Sequence, residues 1–318
     1  MKITLLGTGG PRPDPRRHGP ALVVTVGDEH LLFDAGRGVV RQLTIAGVPA
    51  AVVNPVYAVP SAYNGPTLAL ATVCFALQIY CDFSAYSDMA VGTAKLFGFR
   101  LMRNFAYPYF SQSVTEFWRR WHISLSTWFR DYVFIPLGGS RVGRGRLAFN
   151  LLVTFVLSGF WHGASWCFVI WGALHGLAML PSALSRRRGA LKSTDVPAGE
   201  GLRPSWGTAL KMLGTFAFVC LTWVFFRAET PSQAFLILSK IATDFGSGAP
   251  VPGAIPAVTL LGLVALLLTA EWAQRRHDHP LVIDLWPRPL RWGIYTTVVW
   301  LALLLGPREM GPFIYFQF

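Results

Sequence analysis

Residues 113–141 read SVTEFWRRWHISLSTWFRDYVFIPLGGSR, and the apolar run that follows ends in GFWHGASW (159–166) and CFVIWGALHG (167–176). Three histidines, His122, His162 and His175, fall here inside or beside apolar segments of membrane length, among tryptophans and arginines. Histidine is costly in hydrocarbon and is rarely kept there without a function. Ser113 followed by Glu116 has the pattern of a capping box, so a helix is expected to start there. At ~100° per residue, Phe117, Trp121, Leu125, Trp128 and Tyr132 form one stripe, widened by Trp118 and Phe129, with Arg119, Ser126 and Arg130 opposite. This predicts one interfacial helix, tryptophans at headgroup level and arginines toward water or phosphate. His122 lies on the edge of the stripe, where it could be a satisfied structural histidine or part of a site.

Working outward, IPLGGSRVGRGR (135–146) is a Gly- and Arg-rich turn carrying Arg141, Arg144 and Arg146. Arginine forks of this kind can capture an acidic cofactor, or the turn can be a positively charged cytoplasmic loop. Leu147 to Trp161 predicts an apolar helix, short against the roughly 20 residues needed to span, that delivers His162 at its C-terminal end. Cys167 to Leu180 predicts a second, carrying His175. Arginine-rich loops bracket the pair at 141–146 and at Arg186 to Lys192; if both are cytoplasmic, the two segments make a hairpin or re-entrant pair with WHG at its tip.

Composition agrees with a membrane protein. The 318 residues are 53% hydrophobic and 14% charged, against about a quarter charged in soluble domains, and the mean hydropathy is +0.42. A net charge of +12 on such a chain points to loops facing anionic lipid. Nucleic-acid binding is not expected, because no basic patch with aromatic readout is present. The cysteines, Cys74, Cys81, Cys167 and Cys220, show no CxxC pairing and read as small apolar residues rather than a disulfide or zinc framework. No stretch at the start has the form of a signal peptide.

Upstream, Thr67 to Tyr80 is apolar and uncharged and runs into CDFSAYSDMAVG (81–92). Asp82 and Asp88 should meet the membrane boundary there, either shaping a site or, with Ser84 and Ser87, capping a next helix. Downstream, spans are expected at Met212–Phe226, Val251–Ala270 and Trp292–Leu305, with a polar loop containing Pro231 and Asp244 after the first. Residues 1–50 differ from all of this: MKITLLGTGG, ALVVTVG and HLLFDAG give three short strand-like runs, a β-meander. These runs resemble the first strands of the metallo-β-lactamase fold, and Asp34 matches that family's motif. The family's His-x-His-x-Asp-His metal cluster is missing, and His277 and His279 in RRHDHP have the wrong spacing, so no metal is expected.

FWRRWHISLSTWFRDYVFIPLGG, WHGASW and YCDFSAYSDMA resemble the membrane-bound O-acyltransferases, most closely the bacterial branch that acetylates alginate and other exported polysaccharides. The resemblance covers Val52 to Phe318, which divides the chain into a 1–50 β fragment and a 51–318 membrane domain. It implies an all-α polytopic membrane protein with a short N-terminal β-meander, multi-pass in the bacterial cytoplasmic (inner) membrane and surrounded by membrane lipid. It further implies transfer of an acetyl or other acyl group from acetyl-CoA or a similar thioester to polysaccharide hydroxyls. No cofactor would be permanently bound, and periplasmic polysaccharide-acetylation proteins would be partners.

In that family the histidine of WHG is the principal catalytic residue, here His162. The histidine of RRWH, here His122, orients the reagents, and His175 has a structural part. Asp82, Asp88, Trp118, Arg119 and Arg141 would bind substrate. Acyl transfer to a hydroxyl needs a base and stabilisation of an oxyanion; a neutral imidazole suits the first. With no GxSxG motif, direct transfer fits better than an acyl-enzyme. The family's first several membrane helices have no counterpart here, and both resemblances stop near residue 50. A fused or truncated chain is therefore expected, with an inactive membrane fragment as the competing reading and a metallo-β-lactamase-fold hydrolase as the weaker one.

Overall fold

The computed structural model describes residues 2–5, 21–26, 29–34, 47–185, 204–249, 257–276 and 286–305. Three short strands, β1 (Lys2–Leu5), β2 (Ala21–Val26) and β3 (Glu29–Asp34), pair antiparallel in the order β1-β2-β3, with Leu5 opposite Leu22 and Ala21 opposite Asp34. This is the meander that the short apolar runs between Gly, Pro and Asp led to expect. The helices that follow are α1 (Gly47–Ala58), α2 (Gly65–Leu96), α3 (Val114–Arg120), α4 (Ile123–Phe129) and α5 (Arg144–His162). Then come α6 (Trp166–Leu184), α7 (Trp206–Arg227), α8 (Pro231–Thr243), α9 (Ala257–Gln274) and α10 (Arg288–Leu305). Among the described residues α2, α6 and α7 are long and apolar enough to cross a membrane; about 20 residues at 1.5 Å each cover a ~30 Å hydrocarbon core. The chain is an all-α membrane protein with a small β fragment at its N-terminus.

Two compact units divide the chain. One comprises Met1–Val48, Gln78–Leu101 and Ile283–Gln317; the other comprises Pro49–Leu77 and Met102–Val282, with Phe318. The second unit is built around aromatic rings. Trp171 stacks on Trp223 at 5.8 Å, Phe117 stacks on Trp121 at 5.5 Å, and Trp121 lies 5.3 Å from Trp223, itself in edge contact with Phe75 and Phe226. Each such pair adds about 0.5–1.5 kcal/mol beyond its buried area. None of the four cysteines forms a disulfide; Cys74, Cys167 and Cys220 are buried and Cys81 partly so.

Three expectations need correction. The helix that begins at Gly65 does not stop before Asp82 but runs on to Leu96, so Ser84 and Ser87 cap nothing new and both aspartates lie in a helix interior. No proline or glycine interrupts residues 67–91, so nothing in the chain stops it. The segment after Arg227, read as a polar loop, forms α8. Thr230 accepts from the backbone N–H of Gln233 at 3.2 Å and Pro231 occupies the first turn, a capping-box start that T-P-S-Q already displayed. The third correction, at His122, belongs to the site. The loop Arg186–Lys192 and His277 and His279 lie outside the described residues.

The most extensive helix pair is α5 with α6. Small residues let their backbones approach: a Cβ on Gly159 would fall 2.2 Å from the carbonyl oxygen of Phe168, and one on Gly172 the same distance from that of Phe155. In lipid, where no hydrophobic force drives helices together, close backbone packing of this kind holds a pair. Gly172→Ala should therefore lower stability by about 1–3 kcal/mol through overpacking. Gly214→Ala, on an α7 face where a Cβ meets nothing within 4 Å, should leave it unchanged or slightly raised. Thermal unfolding in detergent compares the two, and equal behaviour would show that the α5–α6 contact is not the close one.

Candidate active site

The site begins where α3 ends. Ser113 accepts from the Glu116 N–H at 3.2 Å, as the capping box predicts, while the Glu116 carboxylate takes the N–H of Gln112 at 2.9 Å. Phe117, Trp118 and Trp121 then point into the aromatic core and are buried. Arg120, only 3% exposed, ion-pairs with Glu116 at 2.7 Å and donates to Ala106 O at 3.1 Å.

The single interfacial helix expected from the stripe is broken here. Trp121 is extended and His122 is left-handed, with φ 44° and ψ 55°. Outside glycine that conformation costs roughly 1–2 kcal/mol and persists where surroundings impose it, often at functional sites. After the break the stripe changes environment: Trp128 and Tyr132 are 50% and 68% exposed, and a π-helical turn, Arg130–Phe134, follows α4.

His162 is the last residue of α5. Its ring sits among Trp161 (4.9 Å), Phe226 (5.0 Å), Trp171 (5.3 Å) and Phe168 (6.3 Å). His122 lies near enough for a charge on one imidazole to disfavour a charge on the other. The two histidines, 40 positions apart in sequence, lie at two helix ends, His122 before α4 and His162 closing α5. Burial pushes the His122 pKa down to about 4, so this imidazole is neutral at neutral pH and can accept a proton.

His175 is bonded differently. The Trp118 Nε1–H donates to His175 Nδ1 at 3.1 Å, and His175 Nε2 lies 2.9 Å from Thr222 Oγ1. An indole nitrogen only donates, so Nδ1 carries the lone pair, Nε2 the proton, and Thr222 accepts it while its own hydroxyl donates to Val219 O at 2.8 Å. Both ring nitrogens are satisfied in a fully buried residue.

Beneath the break lies a cavity of about 1140 Å³ bounded by α3, α4, the turn after it, α5 and the end of α6. Of the sequence-predicted binding residues it collects Trp118, Arg119 and Arg141, and it adds Arg144 from the same arginine turn and Arg130, which the sequence placed only on the polar side of a helix. Arg130 pairs with its neighbour Asp131 at 2.7 Å. No carboxylate is among the lining residues, and Leu125, Phe129, Leu151 and Phe155 supply apolar wall. Such a space suits an amphiphile with anionic groups. Asp82 and Asp88 sit on α2 in the other compact unit.

The depressed His122 pKa carries a sign. In the unfolded chain the imidazole titrates near 6.5, so between that value and about 4 the unfolded state binds the proton first. The contribution of His122 to stability is then full above about 6.5 and lost as pH falls toward 4. Between about pH 7 and about pH 5 the protein should lose about 2 kcal/mol more than its His122→Asn variant, read by denaturant unfolding in detergent. Parallel pH profiles would show that His122 is not buried neutral.

Comparison with known proteins bears on the same segment of the chain. The membrane-bound O-acyltransferase family model matches residues 59–197, which take in α3 through α6 and all three histidines. The chain is 42% identical over 303 residues to the probable alginate O-acetylase AlgI of Pseudomonas putida, covering 89% of this chain and 59% of that protein. It is 41% identical over 169 residues to a peptidoglycan O-acetyltransferase of Helicobacter pylori, 53% of this chain and 30% of that one. To a teichoic acid D-alanyltransferase of Streptococcus thermophilus it is 33% identical over 174 residues, 52% of this chain and 42% of that one. The chain thus spans less than two thirds of the length of each. The likeness of residues 1–50 to metallo-β-lactamases gains no support from these relatives. Residues 59–197, which carry the RRWH and WHG histidines and the arginine-lined cavity, belong to the membrane-bound O-acyltransferase family.

Proposed function

We propose that this protein is an O-acyltransferase that moves an acetyl or similar acyl group from a thioester donor to hydroxyls of an exported polysaccharide. The observation that carries the reading is the placing of two histidines at helix ends, His162 closing α5 and His122 opening α4, with a cavity lined by Arg119, Arg141 and Arg144 against the same two helices. His162 takes the proton of the attacking hydroxyl, the new alkoxide adds to the thioester carbonyl, and collapse expels a thiolate that recovers the proton. His122, neutral and held in place, orients the reagents. The arginines of the cavity, Arg119, Arg141 and Arg144 above all, hold the anionic part of a donor such as acetyl-CoA, and Trp118 forms part of the wall. Asp82 and Asp88 contribute to acceptor binding. The relatives' names span alginate, peptidoglycan and teichoic acid, which supports a polymer acceptor. An acceptor outside the cytoplasm, a multi-pass place in the inner membrane and periplasmic acetylation proteins as partners belong to the same proposal. Residues 1–50 are proposed to form a separate fragment ahead of the membrane domain.

Acetate incorporated into polymer per unit of membrane protein tests the reading. His162→Ala should lose about 10²- to 10⁴-fold, as removal of a general base does; His122→Ala should fall less, and His175→Ala least, through packing. Near-normal transfer by His162→Ala would remove the mechanism. No transfer by the wild-type chain would favour the reading in which these 318 residues keep the motifs without turnover.

The arginine turn 135–146 is proposed to face the cytoplasm. Gly143 precedes α5 with nothing within 4 Å of an added Cβ, so Gly143→Cys should be tolerated. It should resist a membrane-impermeant maleimide in intact cells and react once the membrane is opened; labelling in intact cells would invert the topology.

A further inference from the structure

α4 starts without a cap of its own. The N-cap position, where Ser, Thr, Asp or Asn is usual, is held by His122, whose side chain caps nothing. The first donors of the helix go instead to a residue 20 positions upstream. Ile123 N–H donates to Asn104 O at 3.0 Å. Ser124 N–H and the Ser124 hydroxyl both donate to Asn104 Oδ1, at 3.1 and 2.7 Å. With its proton committed to Asn104, Ser124 Oγ lies 3.5 Å from His122 Nδ1. On the other side of the break, Ala106 N–H donates to Arg120 O at 2.9 Å and Arg120 Nη1 to Ala106 O. Residues 104–106 therefore bond to both helix ends, and the left-handed turn between them cannot relax into a continuous helix without breaking these bonds.

We propose that Asn104 is a positioning residue for His122: it caps α4 from outside the helix and so holds His122 in its left-handed turn at the start of that helix. The arrangement leaves the N-cap position open to an imidazole, which a capping residue would otherwise occupy. Its purpose rests on the transferase reading, but its geometry does not, and the two are tested apart.

Membranes carrying the full chain are treated with diethyl pyrocarbonate, and acylation of each histidine is followed by mass spectrometry. Asn104→Ala should raise the rate at His122 at least about fivefold, the factor expected for opening a cap of about 1 kcal/mol, with His175 unchanged. Asn104→Asp, which keeps the accepting oxygen, should stay close to wild type. An unchanged His122 in Asn104→Ala, an equal rise at His175, or an Asp variant as reactive as the Ala variant would each overturn the proposal. In parallel, Asn104→Ala should lower kcat for acetyl transfer with KM little changed, and a KM effect alone would count against positioning. An inactive wild-type chain would count against the transferase reading, while the acylation rates still decide the role of Asn104.

Discussion

The hydrogen bond from the Trp118 indole to His175 is the interaction on which this part of the structure depends. It joins α3 to α6, and through Thr222 it joins both to α7. Because the indole can only donate, it fixes which nitrogen of His175 is bare, and the rest of the chain of bonds to Val219 O follows. A buried polar group left unpaired costs about 1–3 kcal/mol, so neither partner can turn away cheaply. The ring of Trp118 is thereby held as a wall of the cavity, and α3 is held at the angle from which the break at His122 departs.

Two further constraints act on the same neighbourhood. The close approach of α5 and α6 through Gly159 and Gly172 fixes where α5 ends, and its last residue is His162. On the facing side, Arg144 and Arg146 occupy the first turn of α5, where the helix dipole disfavours positive charge by a few tenths to about 1 kcal/mol. Arg146 is held there by its bonds to Leu137 O at 3.4 Å and by the Phe149 ring at 5.2 Å, while Arg144, with Arg141 and Arg119, lines the adjoining cavity.

Much of this was legible in the residues. The helix periods located α5 and α6 to within a few residues, Ser113 and Glu116 marked the start of α3, and the motifs around His122 and His162 named the family. Where the reading erred, the cause was a local signal given too little weight or a remote partner. Thr230 and Gln233 announced α8, whose polarity suggested a loop. The absence of any breaker between residues 67 and 91 announced a continuous α2, whose aspartates suggested an end.

The sequence by itself determined that this chain enters a membrane, that α5 and α6 are helical, and that His162 closes the first of them, because hydropathy, periodicity and capping are local properties. Only the tertiary structure decided that the stripe from Phe117 to Tyr132 is two helices, that His175 is satisfied, and that Arg130 and Arg144 join Arg119 and Arg141 around one space. Each of those outcomes depends on partners supplied from elsewhere in the chain: Asn104 and Ala106 for the break, Trp118 and Thr222 for His175, and the ends of α5 and α6 for the cavity. A helix pattern reports what a segment can do with its own hydrogen bonds; it cannot report the distant backbone group that offers a better one.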